Sequence, residues 1–187
     1  MIDLQPACER LGELVAGIND DQLAAGTPCA EYTVKDLLNH VDDGARGFAQ
    51  AANSFAAGAL AADGDAGAAL DFDGEWRQVL GQRLEVLAKA WSDPAAWAGE
   101  SDLAGLALSN EEWGKIALTE VVVHGWDLAK ATGLPFELPP ETVRACYEHV
   151  AGFLVEPPVP ELWGPPVDVA TEAPLMDRLV GVAGRWP

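Results

Sequence analysis

The sequence predicts an all-α protein, a bundle of long helices joined by irregular connections. Three observations carry this expectation. Apolar residues recur every three or four positions in five separate segments. Two Ser/Thr-x-x-acid pairs, Thr33 with Asp36 and Ser109 with Glu112, resemble capping boxes at the heads of two of them. The periodicity is helical throughout, with no internal repeat and no linker long enough to separate two domains, so residues 1–187 are expected to form one domain.

The first helix is expected from about Leu4 to Ala16, where Leu4, Ala7, Leu11, Leu14 and Val15 share a face. An irregular connection follows. The second helix starts after Thr33, and Val34, Leu37, Leu38, Val41, Ala45 and Phe48 form its stripe, with His40 near the edge. Residues 56–74, rich in Gly, Ala and Asp, read as a loop. Trp76, Val79, Leu80, Leu84, Leu87 and Trp91 mark the third helix, which ends at Ser92-Asp93-Pro94. A polar, Gly-containing connection leads to the fourth helix. That helix opens at Ser109 and stops at Gly133-Leu134-Pro135, and its two ends outweigh the local strand preference of Val121–Val123. A fifth helix begins with Pro140 as an early residue. A proline-rich, irregular C-terminal tail follows, with a short amphipathic segment from Leu175 to Val182.

Composition narrows the function classes. Eleven Lys and Arg against 30 Asp and Glu give a net charge of −19, which argues against nucleic acid and against an anionic membrane surface. No stretch reads as a membrane span or a signal peptide. Cys8, Cys29 and Cys146 are odd in number and widely spaced, matching neither a disulfide framework nor a Cys-x-x-Cys pair. A reduced, cytoplasmic protein is expected.

The chemistry concentrates in the least polar helix. Glu120 and His124 are four residues apart, so their side chains lie on one helical face and can converge on one metal ion. Asp127, three residues further, can accept a hydrogen bond from the imidazole and orient it. Two ligands on one helix bind weakly, and a third is expected from a facing helix. His40, at the edge of an apolar stripe, fits that role. His40, Glu120 and His124 would form a His₂Glu set with open positions, the pattern of a reactive zinc or nickel site. The alternative for the same residues is a buried Glu120–His124 ion pair without a metal, since an unpaired carboxylate in that helix would be costly. His149 beside Glu148 reads as a solvated or rim histidine, Cys29 as structural, and Asp42–Asp43 as a solvated helix face.

Three segments resemble one family. "TPCAEYTVKDLLNHV", "LTEVVVHGWDLAKATG" and "WGPPVDVATEAPLMDRLVGVAGRWP" are similar, in order, to the signatures of the actinobacterial mycothiol-dependent maleylpyruvate isomerase-like metal-binding proteins of the DinB/YfiT-like superfamily. The resemblance implies a DinB-like four-helix bundle with additional short helices and a divalent metal held by His40, Glu120 and His124. It also implies a structural or orienting role for Asp127. Tyr32 stands where the family pattern has tryptophan. The isomerase relatives carry a further C-terminal domain, whereas 33 residues follow Leu154 here, so no role is assigned to Arg185.

The function expected from residues and resemblance is a metal-binding protein, zinc before nickel. It would use a low-molecular-weight thiol, mycothiol, as co-substrate for S-transfer to, or isomerisation of, a small electrophile. The alternatives are a metal-dependent hydrolase and a non-catalytic metal-binding or dimerising bundle. A homodimer is expected from the resemblance.

Overall fold

A computed structural model of the chain describes residues 1–30, 32–56, 69–103, 105–153 and 164–187. Six α-helices lie among them: α1 (Gln5–Gly17), α2 (Val34–Ala56), α3 (Trp76–Trp91), α4 (Asn110–Thr132), α5 (Pro140–Phe153) and α6 (Leu175–Val182). Helix α1 packs against α3 and α4, and α2 packs against the same two, so the bundle runs in the ring order α1–α3–α2–α4. Helix α5 lies on α4 and α6 lies on α5. The all-α expectation and the DinB-like bundle with extra short helices are both borne out. Part of the loop expected over 56–74, namely 57–68, Leu154 at the end of the expected fifth helix, and residues 155–163 of the expected tail lie outside the described residues.

Local chemistry sets the helix ends. The Thr33–Asp36 box is reciprocal: the Thr33 backbone N–H donates to Asp36 Oδ2 (3.1 Å) and the Asp36 N–H donates to Thr33 Oγ1 (3.3 Å). At α4 the Glu112 N–H donates to Ser109 Oγ at 3.2 Å. The Glu112 carboxylate instead stands 3.6 Å from His149 Nδ1. Gly133 ends α4 in the left-handed conformation (φ 71°), its N–H donating to the Ala129 carbonyl at 2.8 Å. The predicted stripes of α1 and α2 are buried from end to end, and only Val79 of the α3 stripe is partly exposed.

The connection before α4 holds more order than expected. Glu100–Leu103 (β1) and Leu106–Ser109 (β2) form an antiparallel hairpin in which Glu100 faces Ser109 and Leu103 faces Leu106. Four-residue strands are too short for their alternation to stand out in the sequence. Asn110, fully buried, ties the hairpin to α4. Its amide donates to the carbonyls of Ala96 and Ala98, both at 2.9 Å, and its Oδ1 accepts from Ser101 Oγ at 2.7 Å.

Asp42 corrects a second expectation. Asp43 is exposed, but Asp42 is buried at 1% and paired with Arg83 of α3 and Arg46 of α2. A residue on the α2 face turned toward α3 has no access to water, and two guanidinium groups replace the lost hydration. His149 is likewise not solvated: its side chain is 6% exposed. No helix of the described residues is long and apolar enough to cross a membrane.

Candidate metal centre

The packing of α2 on α4 brings His40 to Glu120 and His124. Glu120 Oε2 lies 3.1 Å from His40 Nε2 and 3.2 Å from His124 Nε2. One donor atom from each of the three side chains lies within 4.8 Å of the other two. The two imidazoles meet edge to face, with centroids 4.9 Å apart and planes at 89°. Helical spacing explains the Glu120–His124 half. The buried neighbours Val121, Val122 and Val123 on α4, and Leu37, Leu38 and Val41 on α2, hold the helices that carry the donors.

Exposure is graded across the centre. His124 is buried, Glu120 keeps about a quarter of its side-chain surface at 26%, and His40 keeps 38%. The open side is therefore the His40 side, where Tyr32 stacks on the imidazole at 5.5 Å with planes 22° apart. A tyrosine in the place of the resembled family's tryptophan still supplies an aromatic wall.

Behind His124 the order is tighter. His124 Nδ1 donates to Asp127 Oδ2 at 3.0 Å, and Asp127 is fully buried. Asp127 in turn receives Arg185 from the C-terminal segment, Nη2 to Oδ2 at 3.0 Å and Nε to Oδ1 at 3.3 Å. With Nδ1 so engaged, Nε2 of His124 is the nitrogen presented to Glu120 and His40.

Electrostatics follow this arrangement. Burial disfavours the charged Glu120 carboxylate, but the His124 and His40 rings outweigh it and hold its pKa well below the usual carboxylate range. Burial also disfavours the His124 imidazolium. The Glu120 charge and the hydrogen bonds to Asp127 and Glu120 prevail, raising its pKa to about 9. Two imidazole nitrogens and a carboxylate oxygen, drawn from two helices and left partly open, are a donor set that fits a divalent ion such as zinc.

Compared with known proteins, residues 4–129 match the mycothiol maleylpyruvate isomerase N-terminal domain. An uncharacterized protein found in two strains of Mycobacterium tuberculosis is 31% identical over 141 residues, covering 73% of this chain and 69% of the relative. The chain belongs to the mycothiol maleylpyruvate isomerase N-terminal domain family. No solved structure matches. The match covers α1 to α3, α4 up to Ala129 and all three clustered donors of this family member, and it stops short of α5, α6 and Arg185.

Two residues of the centre were not legible as such in the sequence. Cys29, read as structural, brings a thiol within 4.8 Å of donor atoms of His124 and Asp127. Its only local signal was its place in the "TPC" motif. Arg185 had a signal in the terminal "GRWP", but its partner lies 58 residues away. A cavity of about 420 Å³ lined by Arg10, Glu13, Glu137 and Leu138, among others, contains none of the clustered donors.

Proposed function

We propose that this family member binds one divalent ion, zinc in the first place, through His40, Glu120 and His124, and acts on a small electrophile with a low-molecular-weight thiol, mycothiol, as co-substrate. The reaction is S-transfer or thiol-assisted cis–trans isomerisation, carried out by residues 1–187 as one domain. The observation that supports this reading best is the convergence of three donor atoms from two helices with one side left open. A closed structural site would be surrounded by protein. Family membership supports the choice of thiol.

A bound divalent ion supplies a Lewis acid that favours thiolate over thiol at neutral pH. The chain's own residues do the rest. Asp127 keeps the His124 ring turned so that Nε2 faces the donor cluster. The Glu120 carboxylate stays ionised beside the two imidazoles, its pKa lowered by them. Tyr32 shields one face of His40 and forms the wall of the entrance through which thiol and electrophile must pass. The net charge of −19 gives no attraction for a dicarboxylate, so a neutral electrophile suits the surface better.

The test begins with metal content. The protein is purified without chelator or histidine tag, beside His124→Ala, and both are assayed by elemental analysis and then for turnover of electrophiles with and without mycothiol. Near-stoichiometric zinc in the parent, its loss in the variant and thiol-dependent turnover are the expected results. Turnover in water that ignores the thiol would make the protein a metal-dependent hydrolase. Zinc without turnover would leave a non-catalytic metal-binding bundle. A parent that neither contains nor takes up metal defeats the reading altogether.

A further inference from the structure

We propose that Arg185 is a positioning residue of the metal centre, acting through Asp127 on the ring of His124. This rests on the metal-site reading above. The first observation is an inversion of ordinary burial. Arg185 is 8% exposed while its neighbour Trp186 is 80% exposed. Apolar burial alone would place the indole inside and the guanidinium in water, since arginine is almost never fully buried without a partner. Something specific holds the charge in.

Asp127 holds it. The guanidinium Nε reaches Oδ1 and Nη2 reaches Oδ2, so the fork grips both oxygens of one carboxylate. The remaining nitrogen, Nη1, donates to the Ala183 carbonyl at 2.7 Å. Asp127 therefore has no freedom to rotate about its carboxylate axis. Its Oδ2 is also the atom that accepts from His124 Nδ1, and both contacts to it measure 3.0 Å. Fixing the carboxylate plane thus fixes the imidazole, and with it the direction of Nε2.

The backbone around Arg185 is built for this delivery. After α6 the chain turns at Gly184, which has φ 82°, a conformation that favours glycine. A Cβ there would lie 2.9 Å from backbone atoms of Gly164. The Arg185 N–H donates to the Val180 carbonyl at 2.8 Å, and the Val167 N–H donates to the Gly181 carbonyl at 2.9 Å. The stretch from Gly164 to Val167 and the last turn of α6 thereby brace each other and aim Arg185 at α4. The family match ends at residue 129, so it takes in His124 and Asp127 but not Arg185 or the backbone that delivers it.

The test uses the full-length protein in four forms: parent, Arg185→Gln, Arg185→Lys and Arg178→Gln. Arg178 lies on α6, ahead of the turn that delivers Arg185, and bonds Tyr147 Oη at 3.0 Å, so its variant controls for general damage to α6. Zinc affinity is measured by chelator competition. The His124 Nδ1–H resonance is followed in the metal-free state after selective ¹⁵N-histidine labelling. Arg185→Gln is expected to weaken zinc binding about 10–100-fold, the range for loss of an outer partner of a metal-bound histidine. The same variant is expected to lose the slowly exchanging Nδ1–H signal. Arg185→Lys keeps the charge without the fork and should recover only part of both, while Arg178→Gln matches the parent. If the Gln variant does not fold, the Lys variant carries the comparison. A folded Arg185 variant with the parent's zinc affinity and an unchanged Nδ1–H resonance overturns the proposal. If the parent takes up no zinc, the metal-site reading fails, and the metal-free resonance still decides whether Arg185 orders His124.

Discussion

His40 Nε2 and Glu120 Oε2 lie 3.1 Å apart although 80 residues separate them in the chain. Neither side chain is delivered by a loop. Leu37, Leu38 and Val41 bury the α2 turn that carries His40, and Val121, Val122 and Val123 bury the α4 turn that carries Glu120. The distance between the two donors is thus set by core packing. A centre built this way keeps its geometry as well as the bundle does, and it should register any change that shifts α4 against its neighbours.

Gly125 gives such a change directly. A Cβ at this position would stand 2.3 Å from Cζ of Phe136, and two further ring carbons would be at 2.8 Å. Real side chains do not approach so closely, so Gly125→Ala must displace either the Phe136 ring or the α4 turn that bears His124. The expected cost is about 1–3 kcal/mol, typical of overpacking a filled site. Urea denaturation of parent and variant measures it, and equal midpoints would mean that the ring swings aside without strain.

Asn110 tests the other end of the same helix. Its side chain makes three hydrogen bonds, to Ala96, Ala98 and Ser101, all at or below 2.9 Å, and the one to Ala96 is fully buried. Asn110→Ala removes the amide that caps the Ala96 and Ala98 carbonyls, and is expected to destabilise the fold by about 2–3 kcal/mol. At 1.5 Å per residue, Glu120 is about 15 Å further along α4, so the variant should bind zinc like the parent. Thermal unfolding and chelator competition on the same preparation check both halves. Weakened zinc binding at undiminished stability would show that the hairpin reaches the metal centre in some other way.

What was legible in the sequence was what short-range chemistry decides. The Thr33 and Ser109 caps, the Gly133 stop and the stripes of α1 to α3 each depend on residues within a turn or two of one another. Glu120, His124 and Asp127 share that property, since three- and four-residue spacing on a helix is a distance in space. His40 was reachable only by assuming that α2 faces α4. Arg185 was out of reach because no local rule pairs the end of a chain with a carboxylate 58 residues earlier. Asp42 misled for the same reason. An acidic pair on a helix reads as solvated until the arginine of a neighbouring helix, Arg83, is found beside it.

His149 connects burial to pH. Its side chain is 6% exposed on α5. Burial, with a smaller contribution from Lys115, pushes its pKa down to about 4, despite the Glu112 carboxylate 3.6 Å away. In the unfolded chain the same ring takes up its proton near pH 6.5. Between these values the unfolded state binds more protons than the folded one. Stability from this group is therefore full above about pH 6.5 and declines as pH falls toward 4. The expected loss is about 2 kcal/mol between pH 7 and 4.5. His149→Gln removes the titrating ring and should remove that part of the slope, leaving the contributions of the carboxylates and, with the opposite sign, of His124. Parallel urea titrations at the two pH values measure the difference. If parent and variant lose the same stability on acidification, His149 is charged in the folded protein, and Glu112 rather than burial governs it.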